Sequence, residues 1–361
     1  MLKRSLLYQN HKDSGATFVN FRGWQIPKRF RPFEEEYTVL KNNIGLLDLS
    51  FQGIIELQGR DRLRFLHGMV TNDIQNLSVG QGCYALMLTP QGKILTDMRI
   101  FCSEQALILM VDSDLIEKDI ALLRKYIISD QVEVVDRSAE LTVVSLQGPK
   151  AAEMINLLNT EGNLPTSPFE HLQTDLGGIS VRCARISRTT AGGYDLILAR
   201  TALVDLWNTL LNTGAPLGLQ GVGLEAWDVH RLEAGIVWYG FDMDDRRIPL
   251  ETGLQDAISF NKGCYIGQEV VARATYRGQI NRRLTGLLLS GKEPADQGDK
   301  IFRNEQEVGW ITSSSYSPRL KQAIALAYIR REAWDPGTLV RVEHQGILSN
   351  SEVTTTFFPD R

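Results

Sequence analysis

The chain alternates between short runs of apolar residues and longer stretches in which apolar residues recur at helical spacing. The short runs predict β-strands over residues 53–57, 94–101 and 107–111. The longer stretches predict helices over residues 61–70, 112–128, 149–158 and 202–213. Because hairpin-like strands are interspersed with helices, the pattern favours an α+β fold over a doubly wound parallel sheet.

The pattern changes at residues 291–299, which are rich in charged and turn-forming residues. Beyond them, short strands separated by turns are predicted over residues 308–312, 324–329, 339–342 and 354–358. Short strands at this spacing are typical of a small antiparallel β-barrel. We therefore predict a region of two interleaved α+β subdomains over residues 1–285 and a barrel domain over residues 286–361.

Composition narrows the class of protein. The 361 residues are 43% hydrophobic and 23% charged, with a net charge of −4. This acidic balance argues against a broadly basic surface, so nucleic acid is not an expected partner. No run of about 18 apolar residues and no signal-peptide core are present, which predicts a cytoplasmic protein without a membrane span. The four cysteines contain no CxxC pair, so the sequence predicts reduced thiols and no standard metal-binding pattern.

The most informative segment is Lys-Gly-Cys-Tyr-Ile-Gly-Gln-Glu at residues 262–269. It places Cys264 between two glycines, just before residues that are predicted to be helical. A helix N-terminus and the nearby Lys262 would both favour the reactive thiolate. Gly263 and Gly267 allow φ > 0 or a close approach to a bound group. The alternative is a glycine-rich turn with an incidental cysteine.

This segment resembles the signature of the YgfZ-type folate-binding proteins. They are a branch of the glycine-cleavage T-protein (aminomethyltransferase) family that is associated with iron–sulfur cluster maintenance. Further segments similar to T-proteins extend the resemblance over nearly the whole chain: residues 21–27, 45–50, 62–66, 71–73, 313–320 and 324–328. The resemblance implies three domains around a central channel that holds tetrahydrofolate.

Asp97 is the first candidate from the predicted strands. The period of two places Leu95 and Asp97 on one face and Ile94 and Thr96 on the other. A carboxylate on a face with leucine is either exposed at a strand end or directed into a cavity. The resemblance puts Asp97 beside the reacting folate nitrogen, where it would orient the folate and assist proton movement. T-proteins usually have two consecutive acids there, and this chain has Thr96 before Asp97.

Arg231 is the second candidate. In the predicted helix over residues 223–235 it lies on an apolar stripe that also carries Trp227. A buried arginine needs partners, so it pairs with a carboxylate or carbonyl group, extends its charged end to water, or contacts a ligand. The resemblance implies folate contact for Arg231, and structural roles are expected for His230 and Glu233.

One segment departs from the family pattern. Transferases of the family carry Thr-Gly-Glu-Asp-Gly, whose glutamate contacts the pterin, and the corresponding residue here is Ala191. A carboxylate is the natural partner for the amino and ring N–H groups of a pterin. Tyr194 follows closely and would either stack near the folate or pack in the core. Together with Asp97 and Arg231, the residues Tyr194, Lys262, Gly263 and Gln268 are the predicted folate contacts.

Four arginines follow the signature segment, at positions 273, 277, 282 and 283. Such a cluster would bind a phosphate, the polyglutamate tail of a folate, or RNA, or it would form a solvated positive face. Arg273 belongs to the family-like motif and ranks above the others.

Three functional hypotheses follow. The first is a tetrahydrofolate-binding protein that supports iron–sulfur cluster assembly or repair, with client or assembly proteins as partners. Asp97 and Cys264 would be its catalytic residues, and Cys264 would act as thiol, transient ligand or redox relay. The second is an aminomethyltransferase that takes a methylene unit from an aminomethyl-lipoyl carrier, although Ala191 and the Cys264 signature argue against it. The third is a partner-binding or RNA-modification accessory module.

Overall fold

The computed structural model describes residues 2–159, 162–276, 278, 280–356 and 358, and Arg277 of the arginine cluster lies outside them. The helices are α1 (Tyr8–Asp13), α2 (Phe33–Asn42), α3 (Arg62–Met69), α4 (Ile116–Tyr126), α5 (Ala151–Leu158), α6 (Leu203–Gly214), α7 (Leu224–Glu233), α8 (Pro249–Thr252) and α9 (Gln268–Tyr276). Across these described ranges, no helix has the length and apolar character needed to span a membrane.

The strands follow the chain in the order β1 (Lys3–Arg4), β2 (Thr17–Phe21), β3 (Trp24–Arg29), β4 (Ile44–Asp48), β5 (Gln52–Gln58), β6 (Gly82–Leu88), β7 (Ile94–Cys102), β8 (Ala106–Asp112), β9 (Glu133–Asp136), β10 (Leu141–Gln147), β11 (His171–Leu176), β12 (Ile179–Arg185), β13 (Gly193–Ala199), β14 (Leu219–Gly221), β15 (Arg282–Leu289), β16 (Lys300–Arg303), β17 (Gln306–Ser317), β18 (Gln322–Arg330), β19 (Leu339–His344) and β20 (Ile347–Thr354). Their mixture with the helices confirms the predicted α+β class.

Most of the elements predicted for the first region are confirmed. The three predicted strands lie within β5, β7 and β8, and three predicted helices correspond to α3, α5 and α6. The predicted helix over residues 112–128 is too long at its start. The backbone of Asp112 still pairs with Gln52 in the sheet, so strand β8 continues through Asp112 and α4 begins at Ile116.

The chain divides into two compact units. The first comprises Met1–Ala85 and Asp97–Asp228, and the second comprises Leu86–Thr96 and Val229–Arg361. The first unit contains a six-stranded sheet in the order β11-β12-β13-β10-β4-β14. Strands β6-β7-β8-β5-β9 form a five-stranded sheet, and β1-β3-β2 form a small third sheet. The tip of the β6–β7 hairpin belongs to the second unit.

The main core of the first unit lies between the six-stranded sheet and helices α5 and α6. Leu146 and Leu196 contribute from strands, while Met154, Trp207 and Leu210 contribute from helices, and all five are buried. Apolar residues recur every three to four positions along α5 and α6, because that spacing keeps their side chains on one side of the helix.

The second unit contains a closed barrel in the order β15-β18-β17-β16-β19-β20, which confirms the predicted C-terminal barrel. Alternate residues of β18, such as Ala325, Ala327 and Ile329, fill its interior. The charged stretch at residues 291–299 connects β15 to β16, so it lies within the barrel and is not a linker. The predicted boundary at 285/286 falls inside β15.

The last predicted barrel strand, over residues 354–358, is wrong for its described residues, since Thr355, Thr356 and Phe358 are outside any strand, and Phe357 lies outside the described residues. Strand β20 ends at Thr354, after its ladder with β19 and β15. The side chain of Phe358 is fully buried, which explains the apolar signal at this end of the chain.

Candidate functional site

Asp97 lies on the less buried face of β7. Burial alternates along this strand: Ile94, Thr96 and Met98 are buried, whereas Asp97 and Arg99 are partly exposed. The predicted two-residue period is therefore confirmed. Asp97 is the residue at which the chain re-enters the first unit after the hairpin tip.

Two neighbouring strands bring partners to Asp97. From β6, Tyr84 Oη donates a 2.7 Å hydrogen bond to Asp97 Oδ2. Burial, followed by the negative charge of Asp97, raises the pKa of Tyr84 well above its ordinary value, so this phenol stays protonated and acts as a donor. Arg99 lies over the Tyr84 ring, with its guanidinium carbon 5.6 Å from the ring centroid.

Asp112, at the end of β8, supplies a second carboxylate. Arg99 pairs with Met110 at the end of the β7–β8 ladder, Asp97 and Asp112 each lie two residues beyond that pair on their own strands, and the charge of Asp97 acts on Asp112. Burial, opposed by Arg22 and reinforced by the charge of Asp97, raises the pKa of Asp112 to about 6. Gln52 Nε2 donates to Asp112 Oδ1 at 2.7 Å, and Arg22 Nη2 lies 3.0 Å from Asp112 Oδ2.

A buried ion pair completes the charged cluster of the first unit. Arg188 binds Asp195 with both Nε and Nη2, the Nη2–Oδ2 distance being 2.6 Å. Burial lowers the pKa of Arg188, and the charges of Arg99 and Asp112 also act on it. Trp227 closes one side by donating from Nε1 to the Arg188 carbonyl at 3.3 Å.

This arrangement can move a proton. Asp97 is held by a protonated phenol, and burial, which disfavours the charged form, raises the pKa of the neighbouring Asp112 to about 6. Two carboxylates of different environment can divide the roles of hydrogen-bond acceptor and proton carrier. The cluster therefore suits a substrate that presents N–H groups and exchanges a proton.

Tyr194 is in the main core of the first unit. Its side chain is buried among the residues between the sheet and α5/α6, and Arg185 lies over its ring at 4.8 Å. Burial raises the pKa of its phenol. These contacts fit the packing alternative, while folate contact by Tyr194 stays a prediction. The adjacent Asp195 is the residue of β13 that joins the charged cluster.

The signature segment lies in the second unit. Cys264 and Gly263 are exposed. Helix α9 begins only at Gln268, so the predicted position of Cys264 at a helix N-terminus is wrong. The effect of a helix dipole fades within the first turn, and Cys264 precedes that turn. No group of three or more His, Cys, Asp or Glu side chains in the described part of the chain is arranged to hold a metal ion.

Three other members of the segment have local partners. The Lys262 ammonium lies 5.0 Å from the Tyr265 ring centroid, and Gln268 Oε1 accepts from the Tyr265 backbone N–H at 3.2 Å. Gly267 has a φ of 85°, as predicted for one of the two glycines. These contacts shape the turn, and folate contact by Lys262, Gly263 and Gln268 stays a prediction.

The tip of the β6–β7 hairpin packs against this segment. A Cβ at Gly92, whose φ is 72°, would lie 2.7 Å from Val270 Cβ of α9. A Cβ at Gly267 would lie 2.6 Å from the carbonyl oxygen of Thr89. Both positions therefore require glycine, because backbone and helix meet without room for a side chain. The strand that carries Asp97 starts from this glycine-mediated contact.

Arg231 contacts a carboxylate, a hydroxyl group and an aromatic ring within the second unit. Its Nη1 binds Asp242 Oδ2 at 2.5 Å, and its Nη2 donates to Ser313 Oγ at 3.0 Å. Its guanidinium carbon lies 4.4 Å from the Trp238 ring centroid. The geometry matches the alternative of an arginine paired with a carboxylate, and folate contact by Arg231 stays a prediction.

Glu233, for which a structural role is expected, has structural partners. It is buried, accepts a hydrogen bond from Ser317 Oγ at 2.5 Å, and lies 3.6 Å from Arg319 Nε.

The described arginines of the predicted cluster do not form one patch. Arg273 is exposed on α9. Arg282 and Arg283 are adjacent on β15, so their side chains leave opposite faces of the strand. Arg283 contacts Trp334, with its guanidinium carbon 4.7 Å from the ring centroid, whereas Arg282 lies 5.3 Å from the Trp310 centroid.

Comparison with known proteins identifies the family. The model of the GCVT N-terminal domain matches residues 7–262, and that of the glycine cleavage T-protein C-terminal barrel domain matches residues 282–360. The chain belongs to the glycine cleavage T-protein family.

Similar T-proteins cover the chain from end to end. An aminomethyltransferase of Halothermothrix orenii is 33% identical over 343 residues, covering 94% of this chain and 95% of that protein. Another, from Geobacillus sp. strain WCH70, is 33% identical over 365 residues and covers all of both chains. The crystal structure of aminomethyltransferase T from Bartonella henselae, at 26% identity, superimposes with a TM-score of 0.90 over 100% of this chain and 99% of that one. The T-protein fold expected from the resemblance is thus confirmed.

Sequence reasoning missed the partners of Asp97. Tyr84 and Asp112 lie 13 residues before and 15 residues after it, on other strands, and their proximity depends on sheet order and register. One signal was available, since Asp112 ends a continuous apolar strand with a carboxylate. Arg188 had a weaker signal, a cation shortly before the glycine-rich turn at residues 192–193.

Proposed function

We propose that this T-protein family member transfers a one-carbon unit to tetrahydrofolate from an aminomethyl-lipoyl carrier. Tetrahydrofolate is the one-carbon acceptor of the family. The observation that carries the proposal is the Tyr84–Asp97–Asp112 cluster, in which Asp97, the residue that the resemblance assigns to the folate nitrogen, is oriented by a phenol and acts electrostatically on a second carboxylate. The full-length similarity to named aminomethyltransferases supports it.

The residues present fit a folate in part. Asp97 and Asp112 offer carboxylate oxygens to the N–H groups of a reduced pterin, and the acceptor that the family usually adds is replaced by Ala191. When bound, tetrahydrofolate would supply the nitrogen that receives the carbon unit. Asp97, fixed by Tyr84, would orient that nitrogen, and Asp112 would hold or release the proton.

The test is turnover by the full-length protein. The purified protein is incubated with an aminomethyl-lipoyl carrier and tetrahydrofolate, and methylene-tetrahydrofolate and ammonia are measured over time. The proposal expects both products in equal amounts and only when tetrahydrofolate is present. Folded protein that produces neither contradicts it.

A second candidate is favoured by one specific observation, the exposure of Cys264 in the signature turn. A YgfZ-type role in iron–sulfur cluster assembly or repair would use this accessible thiol. Ala191 and Thr96, which stand in place of family acids, also fit a protein that binds folate without standard turnover.

This candidate is tested in cells that lack the chromosomal copy of the gene. Cys264→Ser, Cys83→Ser as a matched control, and the unchanged protein are expressed, and the activities of iron–sulfur enzymes are measured. Loss with Cys264→Ser alone supports the role. Full activity with Cys264→Ser excludes a thiol mechanism.

A further inference from the structure

The second unit contains a cavity of about 560 Å³ whose charged wall is made by the loop after α7 and by the outer face of the barrel. Its lining includes Arg246 and Arg247 from the loop, and Arg282 and Trp310 from the barrel. Neither the predicted folate contacts nor the signature turn lines this cavity.

Two of these arginines are held by aromatic rings. The guanidinium carbon of Arg247 lies 4.8 Å from the centroids of both Trp310 and Tyr328. That of Arg282 lies 5.3 Å from the Trp310 centroid, and the Trp310 and Tyr328 rings are stacked at 5.3 Å. An arginine packed on a ring keeps its N–H groups at the edge of the guanidinium plane, where they can bind a carboxylate or phosphate with two parallel hydrogen bonds.

The carboxylates that line the cavity do not neutralise the positive charge of its three arginines. Asp244 pairs with Arg246 and lies 3.7 Å from Arg247 Nε. Asp242 is already committed to Arg231 and to the hydroxyl of Thr312. Over the described ranges of the chain, Arg282 has no carboxylate partner. The cavity therefore carries an excess of positive charge.

The barrel adds a further cation beside Arg282. In the β15–β18 ladder Arg282 lies directly opposite Arg330, and like charges in this position destabilise a sheet. The next pair on the same face is Leu284 and Tyr328. An anion at this edge would offset the repulsion between the two guanidinium groups.

We propose that this cavity binds a small organic oligoanion, a molecule that carries several carboxylate or phosphate groups. A volume of about 560 Å³ lies within the range of small-molecule sites, roughly 300–1,000 Å³, and exceeds what one inorganic ion needs. The fixed guanidinium groups of Arg247 and Arg282 recognise two anionic groups, and Arg246 adds charge to the lining. The proposal does not depend on the proposed transfer activity.

Two probes distinguish the possible sources of the charge. Tri-γ-glutamate supplies carboxylates and inorganic tripolyphosphate supplies phosphates, and each is titrated into the full-length protein by calorimetry. We expect at least one to bind with an affinity that falls as KCl is raised, because the contacts are ionic. The tighter probe identifies the chemical class. Failure of both to bind at millimolar concentration overturns the proposal.

Substitutions localise the site. Arg282→Gln and Arg247→Gln should each weaken the better probe by about tenfold, and the double variant should abolish binding. Arg341→Gln, on β19 of the same barrel and outside the cavity, is the control of equal charge and should bind as the unchanged protein does. Equal weakening by Arg341→Gln, or unchanged binding by the double variant, overturns the proposal. Circular dichroism spectra and unfolding temperatures establish that each variant is folded.

Discussion

The hydrogen bond from Tyr84 Oη to Asp97 Oδ2, 2.7 Å long, joins the side chains of two adjacent strands, β6 and β7. The hairpin that connects these strands has its tip in the second unit, where glycines at positions 92 and 267 allow close packing. The orientation of Asp97 is therefore fixed within the first unit by the phenol of Tyr84.

Tyr84→Phe should reduce transfer activity about tenfold, because it removes the donor that fixes Asp97. The loss of unfolding free energy should be small, about 1 kcal/mol, since the site is partly exposed. Turnover and urea unfolding are measured side by side. Tyr276→Phe, which changes a largely exposed phenol of the second unit, should leave both unchanged. If Tyr84→Phe has the activity of the unchanged protein, the Tyr84 hydroxyl does not contribute to the transfer.

Asp112 should make the stability of the first unit depend on pH. Its pKa is about 6 in the folded protein against an ordinary value of 3.8, so the folded state binds more protons between these values. The contribution of Asp112 to stability should therefore be largest below pH 4 and fall, by an amount on the order of 3 kcal/mol, as the pH rises through about 6. Asp112→Asn should remove this component.

The measurement is the free energy of unfolding in urea from pH 4 to pH 7.5. The difference between Asp112→Asn and the unchanged protein should grow with pH over that window. A constant difference contradicts the assigned pKa.

Features of the site that depend on neighbouring residues in the sequence were predictable, whereas contacts between distant segments were not. The two-residue period of its own strand identified Asp97 as a candidate, and the need for a tight turn identified Gly267. Tyr84 and Asp112 could not be identified in this way, because strand order and register bring them to Asp97. The position of Cys264 was misplaced because the glycine-flanked turn continues for several residues before α9 begins.

The same reasoning explains Arg231 and the barrel. The helical period correctly identified Arg231 as a cation on an apolar face. The sequence near Arg231 did not indicate which residue would be its partner. Asp242 lies 11 residues later, beyond the end of the helix, and Ser313 lies in the barrel. The barrel strands were predictable from their alternation, and the domain boundary at 285/286 stays a prediction.

Arg231→Met and Asp242→Leu should each destabilise the second unit by about 3 kcal/mol or more, because each leaves a buried charge without its partner. The double variant should lose less than the sum of the two single losses. Thermal unfolding of the three variants measures this coupling. Additive losses would show that the pair is not coupled. If Arg231→Met has an unchanged unfolding temperature and binds tetrahydrofolate more weakly, the result would support the predicted folate contact of Arg231.

Gly267→Ala should destabilise the second unit by several kcal/mol. It forces a Cβ to 2.6 Å from the Thr89 carbonyl oxygen at a φ of 85°. Gly253→Ala is the matched control, since Gly253 has a φ of 77° with open space around it and should cost only about 1 kcal/mol. Unfolding temperatures of the two variants check the difference, and equal effects would contradict the close contact.

Asp97, in the proposed function, assists one-carbon transfer to tetrahydrofolate. This role is tested by the single-turnover rate of methylene-tetrahydrofolate formation by Asp97→Asn, with Asp205→Asn as the control at an exposed carboxylate of the first unit. We expect a rate lower by about a hundredfold or more for Asp97→Asn and an unchanged rate for the control. A rate for folded Asp97→Asn equal to that of the unchanged protein would contradict a role of Asp97 in the transfer.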